Sequence, residues 1–311
     1  MQPSNLICKR FMMSKAELYH YANTCPHRYK TYSIDKRSGG KRKISQPSRD
    51  LKAVQRFVLS EYLEKRLVIH SSAKAYRVGV SIVDNAKEHV AQKYLLKMDF
   101  SNFFPSILSS DFMKLLRRDK IVDSEEEVKL LSKIFFMNDS GSLRLSIGSP
   151  GSPSISNAIM YDFDEVISKK SIDNSIFYTR YSDDITFSTN EKDILFSWPN
   201  VVSDVLRGID FPKLKINTDK TKFSSKKFNR HVTGITLANQ GYLSIGREKK
   251  RLIRARVHNA MNLDDEEILS LSGDISFACQ VEPNILEKLW RKYPDQMNLI
   301  LRRKEKTNQL E

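Results

Sequence analysis

The tetrapeptide Tyr181-Ser182-Asp183-Asp184 lies between two apolar, β-branched runs, Ile176 to Tyr181 and Ile185 to Ser188. Two strand-like segments joined by a polar pair predict a tight hairpin with adjacent carboxylates at its tip. Like charges held this close repel unless a cation joins them, so the pair points to a divalent metal. Alone, the tetrapeptide equally suits a plain polar turn, because Ser and Asp are common turn residues. The rest of the chain must decide.

Upstream, Tyr94-Leu95-Leu96-Lys97-Met98 reads as a buried strand ending in Asp99, followed by Phe100-Ser101-Asn102-Phe103-Phe104-Pro105-Ser106. A sheet can bring the ends of distant strands together, so Asp99 can meet Asp183 and Asp184. Three carboxylates are the minimum for phosphoryl transfer at two ions ~3.5–4 Å apart. Oxygen donors suit Mg²⁺, whereas zinc calls for His or Cys. Cys8, Cys25 and Cys279 are too scattered for a zinc pair, and the six histidines show no ligand spacing. Between the acidic segments, Leu145 to Asn157 is rich in Ser, Gly and Pro and leads into an apolar-periodic stretch, Ile155 to Ile167. It predicts a loop and then a helix. Gly148 and Gly151, lacking a Cβ, would let a nucleotide or template approach the backbone.

In this order and spacing the three segments resemble the active-site motifs of reverse transcriptases. Lys97-Met98-Asp99-Phe100 through Phe104 is similar to the first palm motif, Gly148-Ser149-Pro150-Gly151-Ser152-Pro153 to the Gly-x-Pro-x-Ser-Pro loop, and Tyr181 to Asp184 to the Tyr-x-Asp-Asp hairpin. Gly40 to Ser48 resembles the basic fingers segment, and Asn217 to Thr221 the lysine-bearing palm motif. Asn85-Ala86-Lys87-Glu88-His89 fits an Asn-Ala-x-x-His element and Val232-Thr233-Gly234 a Val-Thr-Gly element. Both are associated with bacterial retron reverse transcriptases.

The resemblance implies an α+β right-hand polymerase, with fingers and palm over residues 1–240 and a helical, RNA-binding thumb over 241–311. It implies that Asp99 and Asp183, with Asp184 as support and Phe100 beside them, hold two Mg²⁺ ions, for which Mn²⁺ could substitute. Phe104 would be the aromatic gate that rejects a 2′-hydroxyl; one of Phe103 and Phe104 is expected in the core, since neighbours on a strand face opposite sides. Arg42, with Lys41 or Lys43, would clamp the dNTP triphosphate, with Gly148, Ser149 and Pro150 lining the nucleotide. Lys220 would protonate the departing pyrophosphate. Asn85, His89, Tyr181, Ser182, Val232, Thr233, Gly234, Arg247, Lys250 and Arg254 would face RNA or primer. Leu145-Ser146-Ile147-Gly148 departs from the family's usual Leu-Pro-Gln-Gly, which puts an alkyl group where an amide is expected.

Charge agrees with a polyanionic partner: the net charge is +15 and the pI near 9.6. From Lys213 to Arg256, thirteen Lys or Arg face only Asp219 and Glu248. No apolar run approaches the ~20 residues that span a bilayer, and the amino terminus lacks a signal-peptide core, so a cytoplasmic protein is expected. Ser14 to Glu17 predicts a capping box, Tyr29–Ile34 and Arg42–Ser45 a hairpin around Ser38-Gly39-Gly40, Asp50 to Leu67 a helix, and Ser124 the cap of another. A second hairpin is expected around Asn239-Gln240-Gly241, then three amphipathic helices at 247–261, 264–279 and 283–293.

As a retron enzyme, the chain would copy part of a cognate structured non-coding RNA into branched single-stranded DNA, priming from a guanosine 2′-hydroxyl. Its partners would be the RNA, the RNA–DNA product, a host RNase H and an effector encoded nearby in phage defence. The alternatives are a group II intron-like or diversity-generating reverse transcriptase, or an RNA-binding scaffold or antitoxin in which synthesis is secondary.

Overall fold

The computed structural model describes residues 2–35 and 39–308. Its strands are β1 (Tyr29–Asp35), β2 (Lys41–Pro47), β3 (Tyr94–Asp99), β4 (Met137–Asp139), β5 (Ser142–Arg144), β6 (Phe177–Tyr181), β7 (Asp184–Thr189), β8 (Lys222–Ser225), β9 (Arg230–Val232), β10 (Ile235–Leu237) and β11 (Leu243–Ser244). The fold is mixed helix and sheet. Four strands form one sheet in the order β6-β7-β3-β8, and β1-β2, β4-β5 and β9-β10-β11 pair antiparallel. The chain divides into two compact units.

The first unit comprises Met1–Val78, Leu96–Phe187 and Asp193–Lys222. The β1-β2 hairpin forms in the expected register, with Ile34 opposite Arg42; Ser38 of its expected turn lies outside the described residues. Ser14 caps Lys15–Thr24 through a capping box with Glu17, and Ser124 caps Glu125–Phe135. The helix expected over 50–67 runs only Arg49–Val58 before widening to a π turn at Leu59–Leu63. The stretch expected as one helix is two, Ser152–Ile159 and Tyr161–Asp173, broken at Met160. Phe103 and Phe104 lie in a helical turn, Phe103–Ser106, not on a strand. They still separate as expected: Phe103 is buried and stacks on Phe100 at 5.7 Å, while Phe104 is half-buried.

The second unit comprises Gly79–Leu95, Ser188–Lys192 and Phe223–Glu311. Its core joins Val83 and Ala86 of the helix Ile82–Lys87 to Val232, Ile235 and Leu237, and to apolar faces of the carboxy-terminal helices. Those helices are Arg247–His258, Asp265–Val281, Asn284–Lys292 and Pro294–Asn308. The last was not expected from the sequence. It starts at a proline, which fits a first helical position because its missing N–H is unneeded there. No helix of the described residues is long and apolar enough to cross a membrane.

Candidate active site

Asp99 closes β3, Asp184 opens β7, and Asp183 stands in the two-residue turn before it. The Phe100 amide donates to the Asp183 carbonyl at 3.1 Å, stitching the end of β3 to that turn. The Ser101 amide donates to the Lys215 carbonyl at 2.8 Å and the Asn217 amide to the Asp99 carbonyl at 2.7 Å. This pairing delivers Lys220, in the turn Thr218–Lys220, whose Nζ donates to Asp99 Oδ2 at 2.8 Å.

The site concentrates negative charge. Burial, then the charge of Asp99, pushes the Asp183 carboxyl above its ordinary range. The surrounding protein, then Asp183 and Asp99, pushes Asp184 up to about 6, although its side chain keeps surface exposure. The bond to Asp99 raises Lys220. Among the described residues no three acidic, imidazole or thiol groups form a closed ion cage; one oxygen of Asp99 is taken by the Lys220 ammonium. The donors nevertheless fit a hard divalent cation, since they are all oxygens and their mutual repulsion is what such an ion relieves.

A buried network that sequence reasoning missed holds the turn. Ser182 has φ 60°, a left-handed conformation. Its carbonyl accepts from Arg180 Nη1 at 3.1 Å, and Arg180 pairs with Asp164, both fully buried, through Nε at 2.8 Å and Nη2 at 2.6 Å. Tyr178 donates to the same carboxylate at 2.6 Å, and Asn157 accepts from Arg180 at 3.1 Å. The period-two pattern carried the signal: Tyr178, Arg180 and Ser182 share one face, and a buried guanidinium requires an acid.

On the nucleotide side, strand alternation puts Arg42 on one face of β2 and Lys41 and Lys43 on the other. The positive charge of Arg42 acts on Asp183, whereas Lys43 bonds Asp139 at 3.1 Å. Of these three, Arg42 is therefore the one whose charge reaches the acidic site. Both glycines of the small-residue loop pack closely against the chain itself. A Cβ on Gly148, at φ 118°, would meet the Ser45 carbonyl oxygen at 3.1 Å, and one on Gly151 would enter the Phe135 ring at 2.3 Å. The Ser45 amide donates to the Ile147 carbonyl at 2.8 Å, and buried Ser149 donates to Gln55 at 3.0 Å. Pro150 is half-buried beside it.

The residues expected at RNA or primer divide by exposure. Tyr181 is half-buried, whereas Ser182, Asn85, His89 and Val232 are buried. His89 Nδ1 bonds Ser188 at 2.7 Å. Asn85 reaches Thr233 Oγ1 at 3.5 Å, and Thr233 and Gly234, at φ 47° and 80°, make the tight β9-β10 turn. The two short elements thus form one structural piece. Arg247 and Arg254 are exposed, while Lys250 is half-buried against Glu282 at 2.7 Å. A groove of about 1230 Å³ in this unit is lined by Lys226, Lys227, Phe228, Tyr242, Arg247 and Arg251, among others; basic side chains interleaved with aromatics suit a nucleic-acid strand.

Carboxylates gathered at a sheet end, with a lysine bonded to one of them, are an arrangement suited to phosphoryl transfer. Residues 34–237 match the family Reverse transcriptase (RNA-dependent DNA polymerase). The Retron Ec83 reverse transcriptase of Escherichia coli is 44% identical over 271 residues, 85% of this chain and 86% of its own length. The Retron Ec73 reverse transcriptase of the same organism is 34% identical, covering 88% and 90% respectively. Among solved structures, a telomerase from Candida albicans aligns over 88% of this chain and 56% of its own, with 12% identity and a TM-score of 0.49. The chain belongs to the reverse transcriptases, as one of the bacterial retron type. It is an RNA-directed DNA polymerase, of a fold that uses divalent metal and binds nucleic acid.

Proposed function

We propose that this enzyme copies part of a cognate structured non-coding RNA into single-stranded DNA that stays branched to the RNA, starting from a guanosine 2′-hydroxyl. The observation that carries the chemistry is the gathering of Asp99, Asp183 and Asp184 in one field, with Arg42 acting on it and Lys220 bonded to its edge. Asp99 and Asp183, supported by Asp184 and Phe100, would hold two Mg²⁺ ions, or Mn²⁺ in their place. When bound, the ions stabilise the charge that builds on the attacked phosphate.

The remaining roles belong to the chain's own groups. Arg42 grips the triphosphate, with Lys41 and Lys43 adding positive field. Phe104 bounds the sugar of a dNTP, next to the loop carrying Gly148, Ser149 and Pro150. Lys220 keeps a proton within reach of the acidic edge, available to the pyrophosphate. Tyr181 and Ser182 meet the primer end. The Thr233–Gly234 turn, preceded by Val232 and held by Asn85, together with His89 and the basic helix carrying Arg247, Lys250 and Arg254, holds RNA. In this reading fingers and palm occupy 1–240 and the thumb 241–311. The enzyme works in the cytoplasm beside a host RNase H, and its RNA–DNA product joins a separately encoded effector in phage defence.

The test is to purify the protein from its native host and sequence the nucleic acid that comes with it, with and without debranching enzyme. DNA covalently joined to one RNA through a 2′–5′ link is expected from the wild type and not from Asp183→Asn. Free RNA alone from the wild type would overturn the branched-DNA reading.

A further inference from the structure

Tyr76 has φ 59°, a left-handed conformation that a bulky aromatic residue rarely adopts. The strain is imposed from both sides. The Arg180 amide donates to the Ser72 carbonyl and the Lys74 amide to the Arg180 carbonyl, each at 2.8 Å, lacing residues 72–74 along β6. The Ala75 carbonyl accepts from buried Asn157 Nδ2 at 2.9 Å, and Asn157 is in turn held by Arg180. Downstream, the Arg77 guanidinium folds back onto the Ser71 and Ala73 carbonyls at 3.2 Å each.

Between these clamps the Tyr76 ring is turned outward, 49% exposed, with its hydroxyl 3.4 Å from Ser182 Oγ. Half of the residue stays exposed, so full burial does not offset the costly backbone conformation. What it yields is an exposed ring beside the catalytic turn, and strain of this kind persists where the surroundings over-determine it, most often at functional sites. The buried Asp164-Arg180-Asn157 network fixes Tyr76 and Ser182 together.

We propose that Tyr76 is a positioning residue for the terminal nucleotide of the primer strand, its ring packing on that nucleotide beside Ser182. The inference rests on the polymerase chemistry lying at Asp99, Asp183 and Asp184. Arg42 and Phe104, on other elements, serve the incoming nucleotide, whereas Tyr76 meets the hairpin turn next to half-buried Tyr181. Two rings and a small hydroxyl form a surface that accepts any base, as a primer end requires, because every base has a face to stack.

Steady-state extension of an RNA-templated primer by Tyr76→Ala, Tyr76→Gly and Tyr76→Phe tests this, with thermal melting of each. Ala and Gly should raise the KM for primer–template by about tenfold, the loss of one base–aromatic stack, and leave the KM for dNTP within about twofold. Phe, which keeps the ring, should stay within about twofold of wild type in both. Gly relieves the left-handed strain, so its melting temperature should equal or exceed that of wild type. Unchanged primer–template KM in Ala and Gly, an equal loss in Phe, or a melting temperature that falls in Gly would each overturn the proposal. Asp183→Asn serves as the separate control. It should bind primer–template as wild type does and not extend it, and normal extension by this variant would sink the placement of the chemistry itself, whatever Tyr76 does.

Discussion

Asp164→Asn isolates the buried pair beneath the turn that carries Asp183. Asp164 and Arg180 have no exposed side-chain surface. The carboxylate accepts from Arg180 Nε and Nη2 and from the Tyr178 hydroxyl, at 2.8, 2.6 and 2.6 Å. An amide at this position removes the charge and turns one acceptor into a donor facing other donors. The guanidinium is then buried without a counter-ion, and breaking such a pair costs about 3–5 kcal/mol. Urea unfolding of Asp164→Asn against wild type measures that loss. Arg180→Met combined with Asp164→Leu removes both charges, and should recover most of the stability because a buried pair replaced by apolar groups is often near neutral. The double variant should still extend primers slowly, since the Ser182 carbonyl has lost its donor at 3.1 Å. A single-variant loss below about 1 kcal/mol, no larger than one ordinary hydrogen bond, would refute the reasoning. So would a double variant whose loss equals the sum of the two singles, because coupled residues should not add.

Three further outcomes follow from the geometry. The Asp184 carboxyl titrates near 6 in the fold against an ordinary 3.8, so its contribution to stability is present below the ordinary value and lost as pH rises through about 6. Two pK units amount to about 3 kcal/mol, which solvent screening of this exposed group cuts to the order of 1 kcal/mol. Melting in metal-free buffer should therefore show Asp184→Asn more stable than wild type at pH 7.5 and not at pH 4; an equal difference at both would contradict the charge argument. Gly151→Ala drives a methyl into the Phe135 ring and should cost about 1–3 kcal/mol by overpacking, seen as a lower urea midpoint. Phe104→Ala should raise NTP incorporation relative to dNTP in single-nucleotide extension, and an unchanged ratio would remove Phe104 as the sugar gate.

Much of the candidate site's layout was legible because its acids sit at strand ends. Asp99 follows an apolar run and Asp183 and Asp184 interrupt a β-branched pattern, so period-two reading located all three acids, and the hairpins and the helix caps at Ser14 and Ser124 followed from equally local rules. What failed was longer in range. The break at Met160 and the π turn at Leu59–Leu63 interrupt apolar patterns that are continuous in sequence. Phe103 and Phe104 were read as strand neighbours although the chain bends into a helical turn after Asp99. Gly148 and Gly151 were legible as close-approach positions, but the approaching groups are Ser45 and Phe135 of the same chain. Spacing along a sequence shows that room is needed and does not show for what.

The sequence by itself determined the reaction class, because motifs in this order and spacing resemble those of reverse transcriptases, and the carboxylates and strand periodicity within them are local properties. Only the tertiary structure decided how the turn carrying those carboxylates is held. Tyr76 and Arg180 stand 104 residues apart in the chain; Asp164 and Asn157 meet Arg180 because burial leaves a guanidinium no water to turn to, and Asn157 carries the link on to the Ala75 carbonyl beside Tyr76. Low-dielectric surroundings make that pairing obligatory; the period-two pattern places Arg180 on a buried face but does not name the acid that meets it.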